Sequence, residues 1–142
     1  MAPISLDQLA QAALDARQQA YAPYSRFYVG AALLAADGTL YTGCNVESAA
    51  YSATVCAERT ALLKAVSEGA RQFVAIAIAG APAAHPTPPL PDYVYPCGLC
   101  RQMLYEFITN DIQVLAVKSP TDYKVHTLRE LLPHGFSASD LG

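Results

Sequence analysis

The sequence predicts an α/β fold, a three-layer α-β-α sandwich in which helices cover both faces of a mixed sheet of about five strands. Asp37-Gly38 lies between two apolar segments, an arrangement typical of a β-hairpin. Residues 73–79 are apolar throughout, as expected for a central strand covered on both faces, and residues 112–117 indicate a second buried strand. A segment with helical features precedes each of these strands. At 142 residues, the chain has the length of one domain, so we expect residues 1–142 to form a single domain.

The composition limits the kinds of partner that the chain is expected to have. Charged residues make up only 15% of the sequence, which suggests that other subunits cover part of the surface. The net charge is −3 and the basic residues are scattered, so we expect no binding to nucleic acid or to a membrane. No apolar run approaches the length of a membrane span, and no basic leader precedes an apolar segment. We therefore expect a soluble protein of the cytoplasm.

The first helix and the hairpin are predicted from local signals near the start of the chain. Ser5 and Gln8 have the spacing of a capping box, so a helix should begin there and continue to about Tyr21. Its alanine-rich face would permit close packing on the sheet. The hairpin strands are expected over residues 29–34 and 40–44.

The rest of the chain alternates between helices and strands. A helix should begin at Cys56 and end at Glu68-Gly69, and another should begin at Cys97. Residues 80–91 contain five prolines and are predicted to be an irregular surface loop. A short edge strand is expected over residues 124–127, followed by a short helix over residues 128–132 that ends before Pro133.

Three cysteines at predicted helix starts indicate a metal site. The i, i+3 spacing of Cys97 and Cys100 places both sulfurs on one helical face, and thiolates are stabilised at helix N-termini. With Cys56 they would supply three protein ligands and leave the fourth position open, which is the pattern of a catalytic zinc site. Glu58 lies close enough to reach a water on the metal without being a ligand. Zinc deaminases combine such a ligand set with such a glutamate.

Two other uses of the cysteines remain open from the residues alone. Cys44 would complete a structural zinc site of four cysteines in a protein that is not an enzyme, and Cys97 with Cys100 would form a redox pair. Neither use explains Glu58 two residues after Cys56, so we favour the catalytic site. In that case Cys44 is a small residue of the core. The three histidines lie in segments predicted to be at the surface and have no metal spacing: His85, His126 and His134.

Arginines beside the cysteines would adjust the charge of the metal site. Three thiolates on Zn²⁺ leave a net charge of −1, which disfavours the ionisation of a bound water. Hydrogen bonds from Arg59 or Arg101 to a thiolate would offset that charge. Each arginine is otherwise an ordinary helix residue.

Four segments of the chain resemble the small tetrameric cytidine deaminases, and the likeness extends from about Leu9 to Leu141. In this sequence they read Tyr24-Ser25-x-Phe27, Gly43-Cys44-Asn45-Val46-Glu47, Cys56-Ala57-Glu58-Arg59-Thr60-Ala61 and Pro96-Cys97-Gly98-x-Cys100-Arg101-Gln102. The resemblance implies the cytidine deaminase-like fold and deamination of cytidine or deoxycytidine in pyrimidine salvage. It also implies a homotetramer with one Zn²⁺ per subunit and active sites shared between subunits.

The resemblance also implies a role for each matching residue. Cys56, Cys97 and Cys100 would bind zinc and Glu58 would move protons. Around the base, Phe27 would pack near the ring, the Ala57 N–H would bind O2 and the Tyr95 carbonyl would accept from the 4-amino group. Asn45 and Glu47 would bind the ribose 3′-hydroxyl. Tyr51 and Phe136 would enter the active site of a neighbouring subunit.

Several residues depart from the family pattern near the expected amino-group pocket. Tyr28 stands where proline is common, Tyr95 where serine is usual and Leu99 where alanine or glycine is usual, and residues 52–54 differ as well. These changes keep open an alternative substrate, either an N4- or C5-substituted cytosine nucleoside or an aminopyrimidine antibiotic such as blasticidin S. The Asn45-x-Glu47 pair favours a nucleoside.

Overall fold

The protein is described by a computed structural model, which places residues 4–142. The first three residues of the predicted 1–142 domain lie outside the described residues. Five strands form one sheet in the order β2-β1-β3-β4-β5. In chain order they are β1 (Phe27–Ala35), β2 (Leu40–Cys44), β3 (Phe73–Pro82), β4 (Gln113–Ser119) and β5 (Asp122–Thr127).

Helices lie on both faces of this sheet, as predicted. They are α1 (Leu6–Ala16), α2 (Ala57–Ser67), α3 (Gly98–Tyr105) and α4 (Leu128–Leu131). One buried cluster joins α1 to Ala77 and Leu115 of the sheet. A second cluster joins α2, α3 and α4 to Ile76 and Val114, the neighbours of those residues along the same strands. Successive strand residues point to opposite faces, so the two clusters define the three layers.

The sheet is mixed because its two halves are connected differently. β1 pairs antiparallel with β2 through the predicted hairpin, and Gly38 in the turn adopts φ +91°. β1 also pairs antiparallel with β3, whereas β3 and β4 are parallel and are connected through α3. β5 returns antiparallel to β4 at the edge, where a strand was predicted. β3 is therefore central, which explains its unbroken apolar sequence.

The first helix begins as predicted but ends earlier. Ser5 and Gln8 form the capping box, with the Gln8 N–H donating to Ser5 Oγ at 3.1 Å. The prediction that the helix continues to Tyr21 is wrong, because α1 ends at Ala16 and one 3₁₀ turn follows over Arg17–Gln19. Tyr21 instead pairs with the segment after β2, donating to the Asn45 carbonyl and accepting from the Glu47 N–H. That pairing requires an extended backbone.

The proline-rich segment is only partly irregular. β3 continues through Pro82, so the prediction of a loop over residues 80–91 is wrong for its first three residues. Those residues pair with residues 27–29 of β1, which supply the hydrogen bonds that a loop would lack. The buried guanidinium of Arg17 then anchors this end of the strand by donating to the carbonyls of Tyr28 and Ala81, both at 2.9 Å.

The end of α2 matches the prediction, since Glu68 is its C-cap and Gly69 adopts φ +100°.

None of the helices formed by residues 4–142 is long and apolar enough to cross a membrane.

Candidate active site

The three predicted metal ligands come together where two helices begin. Cys56 is the N-cap of α2 and Cys97 is the N-cap of α3, both with extended backbone, and Cys100 lies in the first turn of α3. Their sulfur atoms lie within 4.8 Å of one another. Free N–H groups and the positive ends of two helix dipoles therefore surround the sulfurs and stabilise thiolates.

The thiol cluster has dimensions that suit a tetrahedral metal ion. Cys56 Sγ and Cys97 Sγ are 3.7 Å apart, and Cys97 Sγ and Cys100 Sγ are 3.3 Å apart. Zinc–sulfur bonds of about 2.3 Å in a tetrahedron place neighbouring sulfurs about 3.8 Å apart, so the residues present fit zinc after a small adjustment. Cys44 is not a member of this cluster. It ends β2 only half-buried, so the expectation that it is a core residue is wrong.

The cluster already favours ionised sulfur. Hydrogen bonding from Cys100 is the largest effect on Cys56, and bonds from Cys97 and Arg59 add to it, so the pKa of Cys56 falls to about 5 despite burial. The same interaction with Cys56, together with burial, raises the pKa of Cys100. Cys56 thus loses its proton easily and Cys100 keeps its own, as expected of neighbouring thiols whose titrations are coupled.

Glu58 is buried beside the thiols. Its side chain is in the first turn of α2 and only 5% exposed. Burial is the main cause that raises the pKa of this carboxyl, and the nearby charge of Cys56 adds to the effect. A carboxyl with a raised pKa holds a proton more readily than an exposed one, which suits a general acid and base.

Glu58, Cys56 and Cys97 line one pocket of about 350 Å³. It lies at the end of the sheet where β1 begins and β3 ends, beside the start of α2. Its other walls are Ser25, Phe27, Val29, Asn45, Glu47, Thr54, Ala57, Ile78, Val94 and Tyr95. An adjoining cavity of about 410 Å³ shares Ser25, Glu47 and Thr54 with it and is also lined by Tyr24 and Tyr51.

Asn45 and Glu47 are held in place by different partners. The buried amide of Asn45 bridges two residues of β1, accepting from the Val29 N–H at 2.9 Å and donating to the Phe27 carbonyl at 2.8 Å. Glu47 accepts from the Tyr24 and Ser25 N–H groups at 3.0 and 3.1 Å, and the Ser25 hydroxyl also donates to it. That hydroxyl is the main cause that lowers the pKa of Glu47.

Comparison with known families shows to which family the chain belongs. A model of the family described as the cytidine and deoxycytidylate deaminase zinc-binding region matches residues 4–116. The chain belongs to this family. The metal named in the family's description agrees with the fit of the three thiols to zinc, and the predicted family and cofactor are confirmed.

Similar proteins extend over almost the whole chain. Cytidine deaminase of Sporosarcina psychrophila is 47% identical over 97% of this chain and 96% of its own length. Cytidine deaminase of Halalkalibacterium halodurans is 47% identical over 94% and 95%. The crystal structure of cytidine deaminase from Burkholderia pseudomallei, 41% identical, superposes with a TM-score of 0.83 over 94% of this chain and all of that one. The predicted fold is therefore confirmed.

Of the two arginines named beside the ligands, only Arg59 interacts with sulfur in this deaminase fold. Burial acts to lower its pKa, but the nearby sulfurs of Cys56 and Cys100 raise it overall. Its described hydrogen bond goes to the Thr54 carbonyl at 3.2 Å, and its buried Nε has no partner among the described residues. Arg101 instead donates to the carbonyls of Pro96 at 2.7 Å and Leu131 at 2.6 Å. Its two described hydrogen bonds join the start of α3 to α4 and do not go to a thiolate.

The aromatic residues fall into two groups. Phe27 and Tyr95 line the pocket beside the thiols, as does the fully buried Ala57 at the first position of α2. Tyr51 is 74% exposed and meets Tyr24 edge to face at 6.0 Å in the adjoining cavity. Phe136 is 54% exposed, and its carbonyl accepts from Gln102 Nε2 at 2.8 Å.

Sequence reasoning missed several residues of the site. Ser25 belonged to a recognised motif but had no assigned role, although it holds Glu47. Val29 and Ile78 line the pocket from neighbouring strands, and only the strand pairing reveals their proximity. His126, predicted to be at the surface, is half-buried and meets Tyr95. These relations arise from tertiary contacts and leave no local signal.

Proposed function

We propose that this chain catalyses the hydrolytic deamination of cytidine and deoxycytidine to uridine and deoxyuridine, releasing ammonia as a step of pyrimidine salvage. The observation that carries the proposal is the buried carboxyl of Glu58 in one pocket with Cys56 and Cys97, two members of the cluster of three thiols. Similarity to cytidine deaminases over nearly the whole chain supports the choice of substrate. A structural zinc site of four cysteines would not need Glu58 in the pocket.

The proposed mechanism assigns the proton transfers to Glu58. When bound by Cys56, Cys97 and Cys100, zinc would act as a Lewis acid that brings the pKa of water toward ~7. Glu58 takes a proton from the attacking water and delivers it to N3 of the cytosine ring, which opens C4 to attack. The same carboxyl then carries the proton of the new C4 hydroxyl to the amino group, so that ammonia leaves and a carbonyl remains at C4. The raised pKa of Glu58 suits both transfers.

The walls of the pocket suggest how a nucleoside is oriented. In the proposed complex, Phe27 packs on the base, the Ala57 N–H binds O2 and the Tyr95 carbonyl accepts from the 4-amino group. The ribose then extends toward Glu47 and Asn45, at the border with the adjoining cavity. The amide of Asn45 already bonds β1, so it contributes to the ribose through its second N–H or its remaining lone pair.

Arg59 is proposed to moderate the negative charge of the metal site. Three thiolates around Zn²⁺ carry one excess negative charge, which opposes the ionisation of water. The positive charge of Arg59 lies near Cys56 and Cys100 and would offset part of that negative charge. Arg101 acts less directly, by fixing the backbone at Pro96 next to Cys97.

We further propose that residues 1–142 act as one catalytic domain in a cytoplasmic homotetramer with shared active sites. The exposed rings of Tyr51 and Phe136 are free to be covered by a neighbouring subunit, which supports shared sites. Free thiols at the proposed metal site suit a reducing compartment. The proposed partner is a small nucleoside, and neither nucleic acid nor a membrane is expected.

Ammonia release over a panel of substrates tests the proposed function. The zinc-loaded protein is incubated with cytidine, deoxycytidine, their N4- and C5-substituted forms and blasticidin S. We expect the highest kcat/KM with cytidine or deoxycytidine. A preference for a substituted nucleoside or for the antibiotic would replace the substrate but keep the chemistry, whereas no ammonia from any of them would contradict the function.

A further inference from the structure

The segment that leads into α3 is anchored to the edge of the sheet by two tyrosines. Tyr93 donates from its hydroxyl to Asp122 at 2.7 Å, and the ammonium groups of Lys118 and Lys124 lie 4.3 and 4.9 Å from its ring centre. Tyr95, two residues later, meets His126 of β5. The segment has no regular secondary structure, so side-chain contacts of this kind fix where its backbone lies.

The contact between Tyr95 and His126 combines a hydrogen bond with ring packing. Tyr95 Oη and His126 Nε2 are 3.4 Å apart, and the ring centres are 5.5 Å apart in an edge-to-face arrangement at 61°. His126 Nδ1 lies 3.8 Å from Glu130 Oε2. Glu130 is itself fixed, because it closes the capping box of α4 with Thr127. A chain of contacts thus extends from the start of α4 to Tyr95.

Tyr95 is a wall of the proposed substrate pocket and lies two residues before Cys97. Val94 and Glu58 line the same pocket. A shift of Tyr95 therefore changes the space beside the thiols and the carboxyl. The serine that is usual here in the family resembled by the sequence has no ring that reaches β5, so the anchor depends on the tyrosine at this position.

We propose that His126 is a positioning residue for substrate binding, which holds Tyr95 in the pocket wall beside the thiol cluster. The inference rests on the proposed deamination of cytidine. In the neutral tautomer with its proton on Nδ1, His126 presents that N–H toward Glu130 and the Nε2 lone pair toward the hydroxyl of Tyr95. His126 touches no thiol ligand in these contacts. Its effect therefore falls on the fit of the substrate and not on the metal.

Four variants test this role: Tyr95→Phe, His126→Leu, the double variant and His126→Gln. The first two remove the hydrogen bond from opposite sides, while the glutamine amide reaches the place of Nε2 and keeps a partner for the hydroxyl. His85→Leu is the matched control, because His85 is an exposed histidine of the proline-rich segment. Each variant is measured for KM and kcat with cytidine, for zinc per chain and for melting temperature.

We expect a ~5-fold rise in KM for Tyr95→Phe and for His126→Leu, the effect of losing one modest hydrogen bond, with kcat and zinc content little changed. The double variant should show no larger rise than either single variant, because both act through one contact. His126→Gln should lie near the wild type, and His85→Leu should equal it.

Three results with the variants would overturn the inference. The first is a KM for His126→Leu equal to that of His85→Leu, and the second is a double variant in which the two effects multiply. The third is a His126→Leu variant that loses zinc or melts early, which indicates a general structural role. A wild-type protein that releases no ammonia from cytidine would overturn the proposed function and this inference with it. An active wild type with an unchanged KM in the variants would overturn this inference alone.

Discussion

The chemistry of the site depends on side chains that lie close together at the starts of α2 and α3. Cys56 and Cys97 cap two different helices, and Glu58 follows Cys56 by two positions into the buried first turn of α2. These residues were predictable because their spacing follows from helix geometry. Ser25 and His126 were not, because their partners Glu47 and Tyr95 are distant in the sequence. Local spacing identifies the reacting groups, and tertiary contacts decide what holds them.

Removing one thiol at a time should distinguish a cysteine that binds the metal from one that does not. Cys100→Ala is expected to lose zinc and to lower the free energy of unfolding, because metal binding and folding are coupled. Cys44→Ala is the matched control and should keep one zinc per chain, since Cys44 is outside the cluster. Metal analysis and denaturant unfolding of both variants measure the effects. Full zinc occupancy in Cys100→Ala, or zinc loss in Cys44→Ala, would contradict the assignment.

The carboxyl of Glu47 gives a prediction about pH. The hydroxyl and N–H of Ser25 lower its pKa in the folded state, so the stabilisation they provide is present above the unfolded pKa and is lost as the pH falls through the folded pKa. Ser25→Ala should therefore raise the pKa of Glu47, seen by carbon NMR of its carboxyl. Its stability deficit should shrink at acid pH. Ser67→Ala, remote on α2, serves as the control, and an unmoved Glu47 pKa in Ser25→Ala would refute this reading.

At the scale of elements, the distance between layers depends on how closely each helix approaches the sheet. The sequence predicted close packing of the alanine-rich α1, and the structure shows the contact at Gly30 of β1. A Cβ added there would lie 2.1 Å from the carbonyl oxygen of Ala13 and 2.3 Å from the backbone nitrogen of Arg17. Both contacts are with backbone, which cannot rotate away. The early end of α1 was not predictable, because the pairing of Tyr21 with residues 45–47 overrides local helix preference.

This close approach predicts the effect of one methyl group. Gly30→Ala should push α1 away from β1 and lower the free energy of unfolding by about 1–3 kcal/mol or more, as overpacked cores do. Gly98→Ala is the matched control, because a Cβ at that position on α3 meets nothing within 4 Å. It should be neutral or slightly stabilising. Denaturant unfolding compares the two, and equal stability of Gly30→Ala and the wild type would contradict the packing described here.

At the scale of the whole molecule, the proposed assembly follows from the surface. Composition suggested a partly covered surface, and the structure leaves Phe136 exposed together with Tyr51, which lines the adjoining cavity. Neither the sequence nor a single chain determines which surfaces meet. The hydrogen bond from Gln102 to the Phe136 carbonyl ties the C-terminal segment to the helix that carries Cys97 and Cys100. A donated aromatic ring would thereby be positioned by its own subunit's metal helix.

Mixing two inactive variants tests whether sites are shared. Glu58→Gln lacks the proton carrier, and a chain ending before Phe136 lacks the proposed donated ring. Dissociated and reassembled mixtures should regain part of the activity, because some pairings rebuild complete sites. Glu58→Gln mixed with Cys100→Ala is the control and should stay inactive, since each chain lacks its own centre. A fully active monomer in light scattering, or variant mixtures as inactive as the control, would count against sharing.

The most direct test of the account is turnover of cytidine per bound zinc in Glu58→Gln beside the wild type. An amide cannot carry protons, so the variant should keep one zinc per chain and the wild-type melting temperature while kcat falls by at least ~10³. Glu68→Gln, at the exposed C-cap of the same helix, is the matched control and should retain full activity. A Glu58→Gln protein that binds zinc and deaminates cytidine at nearly the wild-type rate would contradict the central claim.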